Sequence, residues 1–437
     1  MLLTLTGIAL QRTMMELRTA EVSRDVQQAF WLAEAGLDQA MVRVQNEYLR
    51  DGVAYTAPTS FGSVSFTLST IDSEVLSPQA EQLTRQVTVV GTTATGRSAQ
   101  LTATVVEQGA LRGSWTEGAG MFYNASRNHP MTVSGVVRSG LGTATAIGLM
   151  GNVHHDGELQ IGSSREAAVD TSYDWRGSFE SWTYSDGSTP ASWQQPMGQV
   201  KQTDSVYLGA PYSFDPDNKG TTTVVHPTIA SIRPFPSATA PYPDSACRGH
   251  LTVPDIRTKE IADGDPLDLS PAGDGKIDLC LRYVNLGVMS SLVFRAPATL
   301  YVTGYYTSEG NRFAVNAIAA SNLWAVPATD GNHWEHSIPN GVQFVVTDRA
   351  GASHVNLSSR GFSGSVYAPK SPVRVVLNTG FLSDKGSKLG HVVARELMVE
   401  FDSLYAASQL DMGATEGQKP APLQPLTAPR LLEWNAN

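Results

Sequence analysis

Cysteine, charge and clustered basic residues are all scarce in this chain. Only two cysteines, Cys247 and Cys280, occur in 437 residues, so neither a disulfide-dense scaffold nor a four-cysteine zinc site can form. That scarcity fits one disulfide in an oxidising compartment, or two idle thiols in a reducing one. Charged residues are 16% of the total and the formal net charge is -10. A phosphate backbone is bound through clustered Lys and Arg, and no such cluster is present, which argues against nucleic acid. The apolar opening, Met1 to Leu10, supplies about half of the roughly 20 residues that a spanning helix needs.

Chemical motifs are equally thin. Gly361 to Gly364 reads G-F-S-G, one residue short of a nucleophile elbow and without its strand, turn and helix context. Asp263, Asp265, Asp268, Asp274 and Asp278 carry oxygen ligands, but their spacing fails the calcium loop and no glutamate closes it. His154, His155 and Asp156, or His333, Glu335 and His336, could face a metal, yet neither set matches H-E-x-x-H on a helix. We therefore expect no catalytic residue, no metal and no cofactor. Trp175, Trp182, Tyr184 and Trp193 could stack on sugars or simply cover a modest core.

What the chain does have is a long uninterrupted opening segment. No proline precedes Pro58, and apolar residues recur at Leu10, Met14, Leu17, Val22, Val26, Phe30, Ala33, Leu37, Met41, Val44 and Tyr48, spacings that keep one stripe on a helix. At about 1.5 Å per residue, such a helix would run roughly 70 Å, farther than one small domain can cover. Two period-2 segments follow: Val64, Phe66 and Leu68, then Val87 and Val89 joined through a Gly/Thr turn to Leu101, Ala103 and Val105. They predict a small antiparallel sheet over 51–108. Phe30, Leu37, Met41 and Tyr48 of the helix can cover its apolar face.

From about Gly109 onward, short strands alternate with Gly, Asn, Asp and Ser, suggesting solenoid coils or a sandwich without a fixed repeat. Residues 170–278 read as a loop-rich insert that bears the cysteines. If they pair, the closed loop of about 34 residues would contribute ~3–4 kcal/mol in the chain-entropy model. We expect the pair. The tail, 411–437, is Pro-rich and extended, and its apolar group Leu431, Leu432 and Trp434 reads as a frayed end, with a docking peptide as the alternative.

The strings LLTLTGIAL, QRTMMELRTAEVSRD and QAFWLAEAGL resemble the amino-terminal helix of PilX-type minor pilins of type IV pilus systems, with its A-F-x-x-A-E-A block. SGSVYAPKSPVRVV and GHVVARELMVEFDSLY resemble the β-rich carboxyl-terminal region of large pilins of the same family. The resemblance implies a helix whose apolar end sits first in the inner membrane and later among neighbouring pilin helices. It also implies a leader ending in glycine and a glutamate early in the helix. Neither is seen, the first acidic residue being Glu16, so we read the chain as beginning inside the helix.

The expected architecture is α+β and mostly β: a pilin-like helix over 1–50, the small sheet, and a large solenoid- or sandwich-like domain over 109–410. Leu2, Leu3, Leu5, Ile8, Leu10, Met14 and Leu17 are the expected assembly face. The partners would be other pilin subunits, the pilus assembly machinery and the inner membrane before assembly, placing the protein there as a single-pass subunit and afterwards on the cell surface. A tip adhesin binding a surface or glycan is the alternative. A polysaccharide-active enzyme is a remote one, because it needs paired carboxylates on one groove.

Overall fold

The computed structural model describes residues 2–46, 49, 52, 54–111, 113–117, 120–124, 131–139, 147–151, 153–161, 212–213, 235–306, 312–327, 329, 336–338, 341–351, 353–377, 388–401, 408–411 and 430–436. The proline-free opening forms α1 (Leu2–Asn46). An antiparallel meander follows, made of β1 (Tyr55–Thr59), β2 (Gly62–Ser77), β3 (Ala80–Thr93) and β4 (Ser98–Ala110). Alternate residues point to one face: Val64, Phe66 and Leu68 of β2, Leu83, Val87 and Val89 of β3, and Leu101, Ala103 and Val105 of β4 are all buried. Val64, Phe66, Leu68, Val87, Val89 and Val105 share one apolar cluster with Leu32, Ala40 and Val44 of α1. Each large side chain so buried stabilises by about 1.5–3 kcal/mol.

The chain then leaves this sheet for a second one. Its strands are β5 (Gly113–Thr116), β6 (Gly120–Asn124), β7 (Met131–Ser139), β8 (Ile147–Gly151), β9 (Val153–Ile161), β10 (Tyr212–Ser213), β11 (Gly249–Val253) and β12 (Thr258–Ile261). They continue as β13 (Ile277–Leu286), β14 (Ser291–Phe294), β15 (Ala298–Val302), β16 (Tyr305–Tyr306), β17 (Arg312–Ala325), β18 (Val342–Val346), β19 (His354–Leu377), β20 (Lys388–Phe401) and β21 (Ser408–Asp411). Nearly all pair in parallel: Ile277 lies opposite Ala298, Ala298 opposite Val342, Val342 opposite Gly364 and Gly364 opposite Leu389. β20 then pairs with β5 and β6, which brings the start of this region against its end. The sheet closes as a barrel around one apolar cluster that includes Leu251, Leu279, Leu300, Phe344, Phe362 and Val399. Strands packed on both faces read as continuous apolar runs, as in β18, where all of VQFVV is buried.

The α+β, solenoid- or sandwich-like expectation is corrected by this arrangement. The chain is mostly β with one opening helix, and its large sheet is a closed, predominantly parallel barrel beside a small antiparallel sheet. Parallel pairing joins residues far apart in the chain, so it leaves no local signal from which closure could be read. The frayed tail is corrected as well. After the barrel the chain returns to the first sheet with β22 (Arg430–Ala436), antiparallel to β4, Arg430 facing Val106 and Ala436 facing Leu101. The barrel is thus inserted between the fourth and fifth strands of a sheet ordered β1-β2-β3-β4-β22.

The two sheets meet at the β2–β3 hairpin. The Pro78 carbonyl accepts from Gln343 Nε2 at 2.8 Å and lies 3.1 Å from His391 Nε2, while Gln79 Nε2 donates to Gln343 Oε1 at 3.0 Å. Beneath these bonds Val75, Leu83 and Leu111 pack with Trp115, Val345, Tyr367 and Val393 of the barrel. His391 is buried and its pKa is pushed down to about 4 by desolvation, with the Pro78 carbonyl pulling weakly the other way.

Candidate assembly surface on the opening helix

Along α1 the environment changes near Asp25. Carboxyl-terminal to it, Ala29, Leu32, Ala33, Ala40 and Val44 are buried against the sheet. Their spacing is a helical stripe made largely of small residues, which lets the helix axis come close to the strands. A Cβ added at Gly91 would lie 2.4 Å from both the Ala29 carbonyl oxygen and the Ala33 nitrogen, and one added at Gly36 would lie 2.2 Å from Val64 Cγ1. Glycine at these two positions is what the close approach requires.

Polar contacts fix both ends of the packed half. Thr95 Oγ1, in the turn before β4, donates to Asp25 Oδ2 at 2.9 Å. At the other end the Arg43 guanidinium lies 4.7 Å from the centre of the Tyr55 ring, which itself stacks on Phe66. Buried Arg85 donates to the Leu49 carbonyl at 3.1 Å and pairs with Glu107 at 3.8 Å, tying down the chain just past the helix.

Between Arg12 and Val26 the helix is largely exposed. Met14, Met15, Leu17, Val22 and Val26 lie in water, Leu17 at 60% exposure. The Arg12–Glu16 pair is exposed on the same half; such pairs contribute little to stability. Leu2, Leu3, Leu5, Ile8 and Leu10 belong to the helix, and their side chains lie outside the described residues. Among the described residues, no helix is long and apolar enough to cross a membrane. Of the sequence-predicted packing residues, Leu37 and Met41 sit partly buried against the sheet cluster. Phe30 is half-buried with its ring edge-on to Trp31, and Tyr48 lies outside the described residues. The sequence reading missed Ala29, Leu32, Gly36 and Ala40. An alternation of Ala and Gly at three- and four-residue steps is the signal that would have found them.

The remaining candidates divide cleanly. Cys247 and Cys280 form a disulfide with Cα atoms 4.5 Å apart, joining the stretch before β11 to β13. The acidic loops between them are internally bonded: Asp263 accepts from Gly273 and Gly275, and Asp265 accepts from Leu267. Asp268 accepts from the Gly264, Ser270 and Asp278 amides; burial alone would raise its pKa, but these donors outweigh burial and lower it. Asp274 accepts from Lys276, and Asp278 accepts from the Tyr242 hydroxyl at 2.8 Å. Among the described residues no cluster of three metal-ligating side chains occurs. The Gly361–Gly364 string runs within β19, and Ser363 Oγ donates to the Ile338 carbonyl. His154, His155 and Asp156 lie on β9 with side chains outside the described part, and His336 is exposed. His333, Glu335, Trp175, Trp182, Tyr184 and Trp193 lie outside the described residues.

At one edge of the barrel the backbone is strained. Ile256 and Met289 hold left-handed backbone at φ 57° and 54°, a conformation that costs a residue with a large side chain about 1–3 kcal/mol. Both are exposed.

No family model matches the chain, and no curated protein does. Among solved structures it is similar to the crystal structure of the competence-associated pilin ComZ from Thermus thermophilus, at 13% identity, with 94% of this chain and 97% of that one covered. The TM-score is 0.26, too low for anything to be transferred from one protein to the other.

Proposed function

We propose that this chain is a structural, non-catalytic subunit of a type IV pilus or related secretion filament, of the PilX-like minor pilin kind. In this reading its helix is shared with neighbouring subunits and its barrel is displayed outward. The observation that carries it is the bare half of α1. Leaving Met14, Met15, Leu17, Val22 and Val26 in water forgoes about 25 cal/mol for each Å² of apolar surface that a partner would cover. Burial by other pilin helices removes that loss, and lipid of the inner membrane would serve before assembly. The inserted barrel gives the filament a face that is free of the helix, which favours surface recognition as a second role.

The test separates assembly from folding. Leu5→Asp with Ile8→Asp should abolish incorporation into filaments, scored by immunoblot of sheared pili. The thermal midpoint of the β region should stay unchanged, because the packed half of the helix has its own partner. Normal incorporation of this variant would remove the proposal.

A further inference from the structure

Side chains alternate across a strand, so residues between the barrel's core positions point away from its apolar centre. One such outward row crosses the sheet. Cys280 of β13 lies opposite Tyr301 of β15, Tyr301 opposite Val345 of β18, and Val345 opposite Tyr367 of β19. Tyr367 in turn lies opposite Val393 of β20, and Val393 opposite Trp115 of β5. Their chain neighbours Leu279, Leu300, Phe344, Val366 and Val392 belong to the core. An outward row ordinarily meets water, yet Cys280, Val345, Tyr367, Val393 and Trp115 are each at most 3% exposed.

Two pieces of the chain cover this row. The β2–β3 hairpin and Leu111 cover the β5 end, where Val75, Leu83 and Leu111 share one apolar cluster with Trp115, Val345, Tyr367 and Val393. Residues 235–247 cover the β13 end without forming helix or strand, and Pro236, Pro241 and Pro243 lack the amides that a strand would use. This segment is fastened strand by strand. Cys247 is bridged to Cys280 of β13. The Tyr242 hydroxyl donates to Asp278 of β13 at 2.8 Å, with its ring edge-on to Tyr301 of β15. Just past β18, Asp348 Oδ1 accepts from the Ala238 amide at 3.0 Å and the Asp348 amide donates to the Ala238 carbonyl at 2.8 Å. The Tyr367 hydroxyl of β19 donates to the Pro236 carbonyl at 2.7 Å. There Phe235 and Ala238 enter the same cluster as Val75, Leu83 and Leu111. The segment is thus held covalently at one end and completes the joint between sheet and barrel at the other. Each of its hydrogen bonds contributes about 0.5–1.5 kcal/mol, against roughly 1–2 kcal/mol for every residue ordered, so the bridge supplies a constraint that the hydrogen bonds do not.

We propose that residues 235–247 are a strap that locks the barrel to the small sheet, and that the Cys247–Cys280 disulfide is its catch, so that the joint is tight in the oxidised chain and loose in the reduced one. Redox state then sets whether the barrel and the helix-bearing sheet move as one body. Closing the catch takes two electrons and two protons from the thiols. A disulfide-bearing oxidant receives them by exchange, its own S–S bond becoming two thiols as the Cys247–Cys280 bond forms. The proposal is independent of the pilus reading.

Hydrogen exchange of the full chain, read by mass spectrometry, tests it. In the parent reduced by a dithiol, and in the Cys247→Ser, Cys280→Ser pair, exchange over 75–83 and 235–238 should rise about tenfold or more. The strands around Phe344 and Phe362, and those around Val87 and Val89, should keep their protection. Asp348→Ala, with the bridge intact, should raise exchange in the same two segments because the strap loses its middle hold. Three results would each overturn the proposal: a reduced parent whose 75–83 segment stays protected, a rise of equal size around Phe344 and Phe362, or an Asp348→Ala chain that exchanges as the parent does.

Discussion

The two halves of α1 are built from the same helix and meet opposite environments. Between Ala29 and Val44 the inward face is mostly Ala and Gly, and the sheet backbone comes so close that Gly91 has no room for a methyl group. Between Arg12 and Val26 the apolar residues are larger, and Met14, Met15, Leu17, Val22 and Val26 are left in water. Small residues belong where a partner is fixed within the chain and packing can be tight. Larger, flexible ones such as methionine suit a contact made after folding, with surfaces that must adapt. The difference separates the half that belongs to the fold from the half that the described chain leaves uncovered.

The strongest way to break the packed half is to fill its closest approach. Gly91→Leu would push a side chain into the Ala29–Ala33 backbone, and overpacking where backbone cannot move should cost about 3 kcal/mol or more. Denaturant titration followed by circular dichroism would measure it. The same substitution should leave barrel contacts such as those around Phe344 and Phe362 intact until the sheet is lost. A smaller loss of about 2–4 kcal/mol is expected when the Cys247–Cys280 bridge is removed by Cys247→Ser with Cys280→Ser. That loss should appear in a barrel transition and spare the helix-bearing sheet.

The joint between sheet and barrel should respond to pH. His391 has its pKa depressed to about 4 in the folded chain from an ordinary value of 6.5, so the unfolded chain takes up the proton first. Its contribution is therefore fully present above pH 6.5 and is lost as pH falls from there toward 4. The slope is about 1.4 kcal/mol per pH unit for one such group. His354, lowered to about 4 by burial and then by Arg395, acts with the same sign. His391→Gln should flatten the pH dependence of the denaturation midpoint by the share of one histidine, and a midpoint that stays pH-independent in the parent would remove His391 from the joint.

Local features of this fold are legible in the sequence, and distant ones are not. The helix announces itself through 57 residues without proline, and the β2–β4 meander through alternating Val64, Phe66 and Leu68, then Leu101, Ala103 and Val105, because both patterns are set by neighbours in the chain. The barrel is different. His391 lies opposite Gly113 and Ser114 opposite Val137, and nothing near Gly113 signals a partner so far along the chain. β22 was hidden for a related reason: a short apolar segment behind prolines looks the same whether it frays or pairs with Leu101–Val106. On the helix, attention to large apolar side chains passed over Ala29, Gly36 and Ala40, whose small size allows the close packing. The corner at Ile256 and Met289 is invisible in sequence because a left-handed φ at a non-glycine residue has no compositional signature.

The smallest expected effect on stability is also the most direct test of the account. Both native cysteines are in the disulfide, so Leu17→Cys adds a single reactive thiol on the bare half of α1, with a predicted stability change within about 0.5 kcal/mol. Maleimide labelling of that thiol should be rapid in the isolated chain and blocked in assembled filaments, where a photo-crosslinker carried at the same position should join the chain to another pilin subunit. A thiol there that labels equally fast before and after assembly would contradict the claim that this half of the helix is the surface through which subunits associate.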